Sequence, residues 1–399
     1  MSEQQPPRRL TRKELLRRNK KIAKRRQQRL TVIAVALTVF LVYITGLFGT
    51  SIAYLGDFVS SGLVYMQFGD GYPVQIENQT YRQSEKMGSA LCVLNNESLS
   101  FYSPTGDLVY NYYHSMQNPV ISASSKRVAI YNANDTSLKI ANAGNILFSQ
   151  EMENDVIHAS LSDNNCVAVT TKSQSYNGEV TVYDSQMQQK LTWFSAKSFP
   201  LQSFLSAKAQ TLLVSCISTK DGKAVSDVHV IDMATGNEKF VLENKNGVML
   251  AAEFIKEENL VVFYTDKAMC INLADGTVVK EYSYSGKDLI SFDIKNSQIV
   301  MALGDYDSPK GTEVVIADLT LNQNFNISTQ QNVTKLAIAS QRIYLLGDEK
   351  ISQYTTEGEF VAQQDVKNNI KNILDYNGCV AVFGDSLEKI EKAKIEKTK

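Results

Sequence analysis

Seven short hairpins recur along this chain, and their spacing limits what it can fold into. They read FYSPTGDLVYNY, KIANAGNILFSQ, VYDSQMQQKLTWF, VIDMATGNEKFVL, CINLADGTVVKEY, IADLTLNQNFNIS and QYTTEGEFVAQQ, centred near residues 105, 144, 187, 235, 275, 321 and 357. The mean step is about 42 residues, inside the roughly 40–50 residues of a four-stranded propeller repeat. Between the hairpins lie short runs of β-branched and aromatic residues. RVAIY (127–131), TLLVSCI (211–217), LVVFYT (260–265), QIVMAL (298–303) and RIYLLG (342–347) are apolar throughout or nearly so. Continuous apolar runs of this length suit strands covered on both faces. Helical solenoids share the period but need a 3.6-residue stripe, which these segments lack. A four-stranded unit with two apolar faces cannot bury them alone. Stacking units around an axis does so, and closing the ring removes exposed ends. The expected fold is therefore an all-β propeller over residues 72–394. NILDY (372–376), CVAVFG (379–384) and SLEKIEKAK (386–394) supply three terminal strands, and YPVQIE (72–77) the fourth. If they lock together the ring has eight units; if they form no separate unit it has seven.

The residues before the repeats carry a different signal. The 399-residue chain is nearly neutral, with 41 Lys+Arg, 42 Asp+Glu and a net charge of −1. That average conceals a split. Residues 1–29 hold twelve Lys or Arg, from Arg8 to Arg29, against Glu3 and Glu14, while the rest of the chain is acidic. Residues 30–56, LTVIAVALTVFLVYITGLFGTSIAYLG, contain no charge. About 20 apolar residues cross a bilayer as a helix, and a flanking basic cluster stays cytoplasmic. The expected organisation is a basic cytoplasmic tail (1–29), a transmembrane helix (30–56), a linker (57–71), an extracytoplasmic ring (72–394) and a short tail (395–399). A cleaved signal peptide is the rival, with Ser51-Ile52-Ala53 as its site. The long apolar run and long basic lead favour an uncleaved anchor. The basic tail is read as an orientation signal rather than a nucleic-acid arm.

Motifs for chemistry are sparse. Cys92, Cys166, Cys216, Cys270 and Cys379 are odd in number, widely spaced and set in apolar runs, which reads as five small core residues. His114, His158 and His229 are scattered, with no metal-binding spacing between them. No nucleophile elbow and no Gly-rich phosphate loop occurs. The loop GDYDSPKG (304–311) offers Asp305 and Asp307 but not a full calcium-binding pattern, so a solvated turn is the simpler reading. Tyr102, Tyr110, Tyr112 and Tyr113 form a cluster in sequence that could stack on sugars or a protein partner; most are expected to be ordinary strand residues.

Three hairpins carry a family likeness. VIDMATGNEKF, INLADGTVVKEY and VYDSQMQQKLTWF resemble the Asp-x-x-Thr-Gly turns of quinoprotein-type propeller repeats, through Asp232, Gly236, Asp275, Gly276 and Trp193. That family's enzymes carry a tryptophan in most units and a calcium–carboxylate cofactor site. This chain has one Trp and no adjacent-Cys pair, so the resemblance implies the fold and no cofactor. The basic tail, single anchor and outer ring together resemble an uncharacterised family of single-pass membrane proteins, of unknown domain function, from Gram-positive, clostridia-like bacteria.

The functional expectation is a non-enzymatic binding or scaffold module held at the cell membrane. It would contact the bilayer through residues 30–56 and bind an envelope protein or a cell-wall glycan, with no nucleic acid and no cofactor. The alternatives are a transmembrane sensor using the basic tail, and a quinoprotein-like or hydrolytic enzyme using the ring's funnel. No catalytic, cofactor or metal residue can be nominated from the sequence.

Overall fold

The computed structural model describes residues 57, 62, 64, 71–76, 80–244, 246–305, 311–366 and 369–393. The basic tail, the uncharged run 30–56, most of the segment 57–71 and the tail 395–399 lie outside the described residues. No helix among the described residues is long and apolar enough to cross a membrane.

The described residues from 71 onward form an all-β fold. The strands form six four-stranded sheets and one seven-stranded sheet. The seven-stranded sheet contains two four-stranded units that share the strand Ile146–Leu161. Its first part pairs with Asp135–Ala141, and its last part pairs with Val167–Thr171. Counted by units there are eight. All seven hairpins read from the sequence are the third-to-fourth strand connections of successive units. The eighth unit is built from both ends of the chain, in the order Val74–Gln75, Ser386–Ile390, Cys379–Phe383, Asn372–Tyr376. Its seal is short: Val74 opposes Leu387 and Gln75 opposes Ser386.

The burial pattern explains the apolar runs. Second strands such as Ala90–Asn95, Val128–Asn132 and Arg342–Gly347 are buried at every residue, whereas the fourth strand Val278–Ser283 is mostly exposed. Eight apolar clusters result, one between each unit and the next. One of them brings Leu91, Val93 and Tyr102 of the first unit against Tyr376, Phe383 and Leu387 of the last. Each fully buried Leu, Ile, Val or Phe contributes about 1.5–3 kcal/mol, so the ring is held by its inter-unit faces. Hydrogen bonds reinforce the same join: Tyr376 donates to the Ser89 carbonyl (2.7 Å), and Asn372 donates to Ser84 Oγ (3.0 Å).

Three of the hairpins close through aspartates. Asp232 accepts from the Ala234 and Thr235 amides and the Thr235 hydroxyl, at 2.9–3.0 Å. Gly236 comes next at φ 72°, a left-handed conformation that glycine adopts without strain. Asp184 and Asp318 accept in the same way, but the left-handed position is taken by Met187 and Leu321.

Two of the described residues in the segment 57–71 are buried against the ring. Val64 joins the cluster between the first and second units. Asp57 is 1% exposed and meets Arg127, also 1% exposed. Arg127 Nε and Nη2 lie 3.1 and 3.0 Å from Asp57 Oδ2. Arg127 Nη1 donates to the Ser185 carbonyl at 2.6 Å, and Asn142 donates to Asp57 Oδ1 at 3.3 Å.

Candidate functional site

The first strand of every unit faces the axis. These strands are Tyr81–Met87, Pro119–Ala123, the end of Ile146–Leu161, Phe199–Leu205, Met249–Ile255, Asp288–Lys295, Val333–Ala339 and Asn372–Tyr376. Two cavities, of about 530 and 570 Å³, lie between them. The first is bounded by units one to five, and the second by units one and five to eight. Glu85 and Glu253 line both. Together the cavities form an axial channel of the size that takes small molecules. A further cavity of about 530 Å³ sits among outer turns near Lys239, Glu257 and Asn272, and no aromatic residue lines it.

A repeated irregularity aims side chains into this channel. In six units the first strand carries one unopposed residue: Arg82, Ile157, Leu201, Leu250, Ile290 and Thr334. Such bulges twist a strand and re-aim the side chains beyond them. Three residues past the bulge stand Glu85, Ser160, Phe204, Glu253, Asp293 and Ala337, and every one lines the channel. They form one layer around the axis.

The charges lining the channel are unevenly compensated. Asp375 is met by Lys86 at 3.1 Å and by Lys295. Glu85 is held by neutral donors, the Ala123 amide and Gln83 Nε2 (2.6 Å). Burial pushes its carboxyl up to about 7. Glu253 is exposed to the channel; the reduced solvation there, and then the charge of Asp293, push it up to about 7 as well. Asp293 accepts from the Ile338 amide at 2.7 Å and is also raised, first by burial. Among the described residues no ion pair involves Glu85 or Glu253. The wall beside them is aromatic: Tyr131, His158, Phe204 and Phe254. The His158 ring lies 5.3 Å from that of Phe204. Its Nδ1 accepts from the Ser203 amide at 3.3 Å, which leaves the proton on Nε2. Burial lowers its pKa to about 4, so it is neutral at pH 7.

Residues 70–391 match the profile of a family of unknown function, DUF5711. The chain belongs to that family. Among curated proteins no relative matches its sequence. Solved structures share the fold at low identity. The computationally designed Ika8 protein aligns with a TM-score of 0.60 and 14% identity, over 80% of this chain and 99% of that one. BamB from Moraxella catarrhalis gives 0.55 and 13%, over 80% and 96%. Quinohemoprotein alcohol dehydrogenase from Comamonas testosteroni gives 0.59 and 9%, over 83% and 78%. At these identities the likeness of the DUF5711 chain is one of fold alone.

The sequence candidates are dispersed over the ring. His114 is buried, with Nε2 3.1 Å from the Asn95 carbonyl. His229 pairs with Glu238 Oε2 at 2.6 Å and packs on Trp193. Only His158 reaches the channel. Among the described residues no group of three or more His, Cys, Asp or Glu could hold a metal ion. The five cysteines are free, four of them buried, as the apolar runs around them indicated. Tyr102 is core, Tyr110 and Tyr112 are partly buried, and Tyr113 is 69% exposed, so the four make no common platform. Asp305 is described and Asp307 is not. The channel acids were missed. Their signal is positional: Glu85, Glu253, Asp293 and Asp375 each interrupt the first strand of a unit.

Proposed function

We propose that this protein is a membrane-anchored, extracytoplasmic, non-enzymatic binding module at the cell envelope, and that its axial channel receives the ligand. The observation that carries the reading is the channel layer: at five of the six equivalent positions set by the bulges the side chain is polar or aromatic, Ala337 being the sixth. A residue set needed only for packing would be apolar there, as it is between the units. The anchor reading rests on the uncharged run 30–56 and its basic lead, and the partner is read as an envelope protein or a cell-wall glycan. The test is crosslinking of the full chain in intact cells, with Ser122→Trp, which fills the channel beside Glu85, as the comparison. Wild type should capture a defined envelope partner or glycan, and Ser122→Trp should lose it. Equal capture by both would remove the channel from the reading.

One observation favours a second reading. A carboxyl held near 7 is poised as a general acid, and Glu85 and Glu253 both are. A glycan hydrolase working in the channel would release reducing ends from cell-wall glycan, and Glu85→Gln or Glu253→Gln would abolish that release. Absence of any release by wild type would dismiss it.

A further inference from the structure

We propose that the half of the channel between Glu85 and Glu253 binds an organic ammonium group, with Tyr131, His158, Phe204 and Phe254 as its walls. This rests on the channel being the binding site. Three independent observations point to the ligand's chemistry. Among the described residues the two carboxylates have no cation of their own, whereas Asp375 on the opposite side has two, Lys86 and Lys295. A pair of acids without a counterion, inside a lined cavity, is a site for a positive group. Next, the adjoining walls are aromatic, and aromatic faces attract ammonium and guanidinium groups more than they attract neutral ones. Finally, Ser160 is 6% exposed, lies in the same layer and lines the same cavity, and its hydroxyl has no partner among the described residues. A protonated amine offers it a donor. Metal ions fit poorly, since the described residues provide no cluster of three ligands.

The groups facing the two carboxyls set the pH dependence. Glu253 faces Asp293. Glu85 faces Ala123, Gln83, Tyr81, Cys92 and Tyr131. His158 stays neutral above about pH 4, and Lys86 and Lys295 are engaged with Asp375. The two glutamates therefore govern the charge of this half around neutrality. An ammonium ligand should bind best above pH 7, where both are ionised, and more weakly as the pH falls to 6.

The experiment is calorimetric titration of the full chain in detergent micelles at pH 8. The probes are cadaverine, tetramethylammonium and a Gly-Lys-Gly peptide with blocked ends, against valerate and pentanol as anionic and neutral counterparts. At least one ammonium probe should saturate at one per chain, and valerate and pentanol should not bind. Preference for the amines or for the peptide separates a free amine from a lysine side chain as the source. Glu85→Gln and Glu253→Gln should each weaken binding at least tenfold, roughly the loss of one charged contact. If Glu85→Gln fails to fold, Glu253→Gln, at a lumen-exposed position, carries the test alone. Ammonium binding that is absent, or unchanged in the folded variants, overturns the proposal. A partner lost in Ser122→Trp but retained in both glutamine variants would leave the channel as the binding site and dismiss the ammonium. A partner retained in all three would dismiss both.

Discussion

Arg127 carries a full charge with almost no exposed surface, and Asp57 is its counterion. Removing one partner from a buried pair strands the other, at a cost of about 3–5 kcal/mol. Asp57→Ala should therefore lower the denaturation midpoint clearly, while Asp57→Asn, which keeps one acceptor, should lower it less. Equal effects would mean that the lost charge, and not the hydrogen bonding, dominates there. Gly276 is a second sensitive residue. It sits at φ 75°, and an added Cβ would lie 2.6 Å from the Phe240 ring. Gly276→Ala should destabilise by at least about 1–2 kcal/mol through strain and crowding, measured by urea denaturation. The Asp232 turn was legible because Asp-x-x-Thr-Gly is local chemistry. Glu85 was not, because YRQSEKM looks like any half-exposed strand; its role depends on a bulge at Arg82 that no local pattern announces.

Among the elements, the second strands were the easiest to read. A strand buried on both faces must be apolar at nearly every position, and Arg342–Gly347 or Gln298–Gly304 satisfy that. The first strands were harder, since they present one side to core and the other to a channel. The closure was legible from the count of leftover strands, but its brevity was not. Two residue pairs join Val74–Gln75 to Ser386–Ile390, so the last unit relies on the cluster around Leu387. Leu387→Ala should cost about 2–5 kcal/mol. Hydrogen exchange should then speed first in Asn372–Tyr376 and Ser386–Ile390, while Asn259–Tyr264 keeps its protection. Uniform loss of protection around the ring would contradict a local seal.

For the molecule as a whole, the channel links stability to pH. Glu85 and Glu253 have folded pKa values near 7, above the 4.5 of a free glutamate. The folded state then holds protons that the unfolded state has released, so their contribution falls as the pH rises from about 4.5 through 7. His158 works the other way: lowered to about 4 from 6.5, it favours the folded state increasingly between those values. Of these three groups, only the glutamates are still titrating above pH 6.5. Melting temperature should decline from pH 6.5 to 8 in wild type and decline less in Glu85→Gln and Glu253→Gln. A parallel decline in all three would place the titrating groups elsewhere.

The buried pair at the start of the described chain also sets a path for mechanical load. A pull entering at Asp57 meets Arg127 before it reaches Val74–Gln75. Through Arg127 the force spreads into the second unit and, by the Ser185 carbonyl, into the third. Those two units share the continuous strand Ile146–Leu161 and cannot slide apart at a loop. The load thus passes first into two units joined by one strand, and not directly into the two-pair closure.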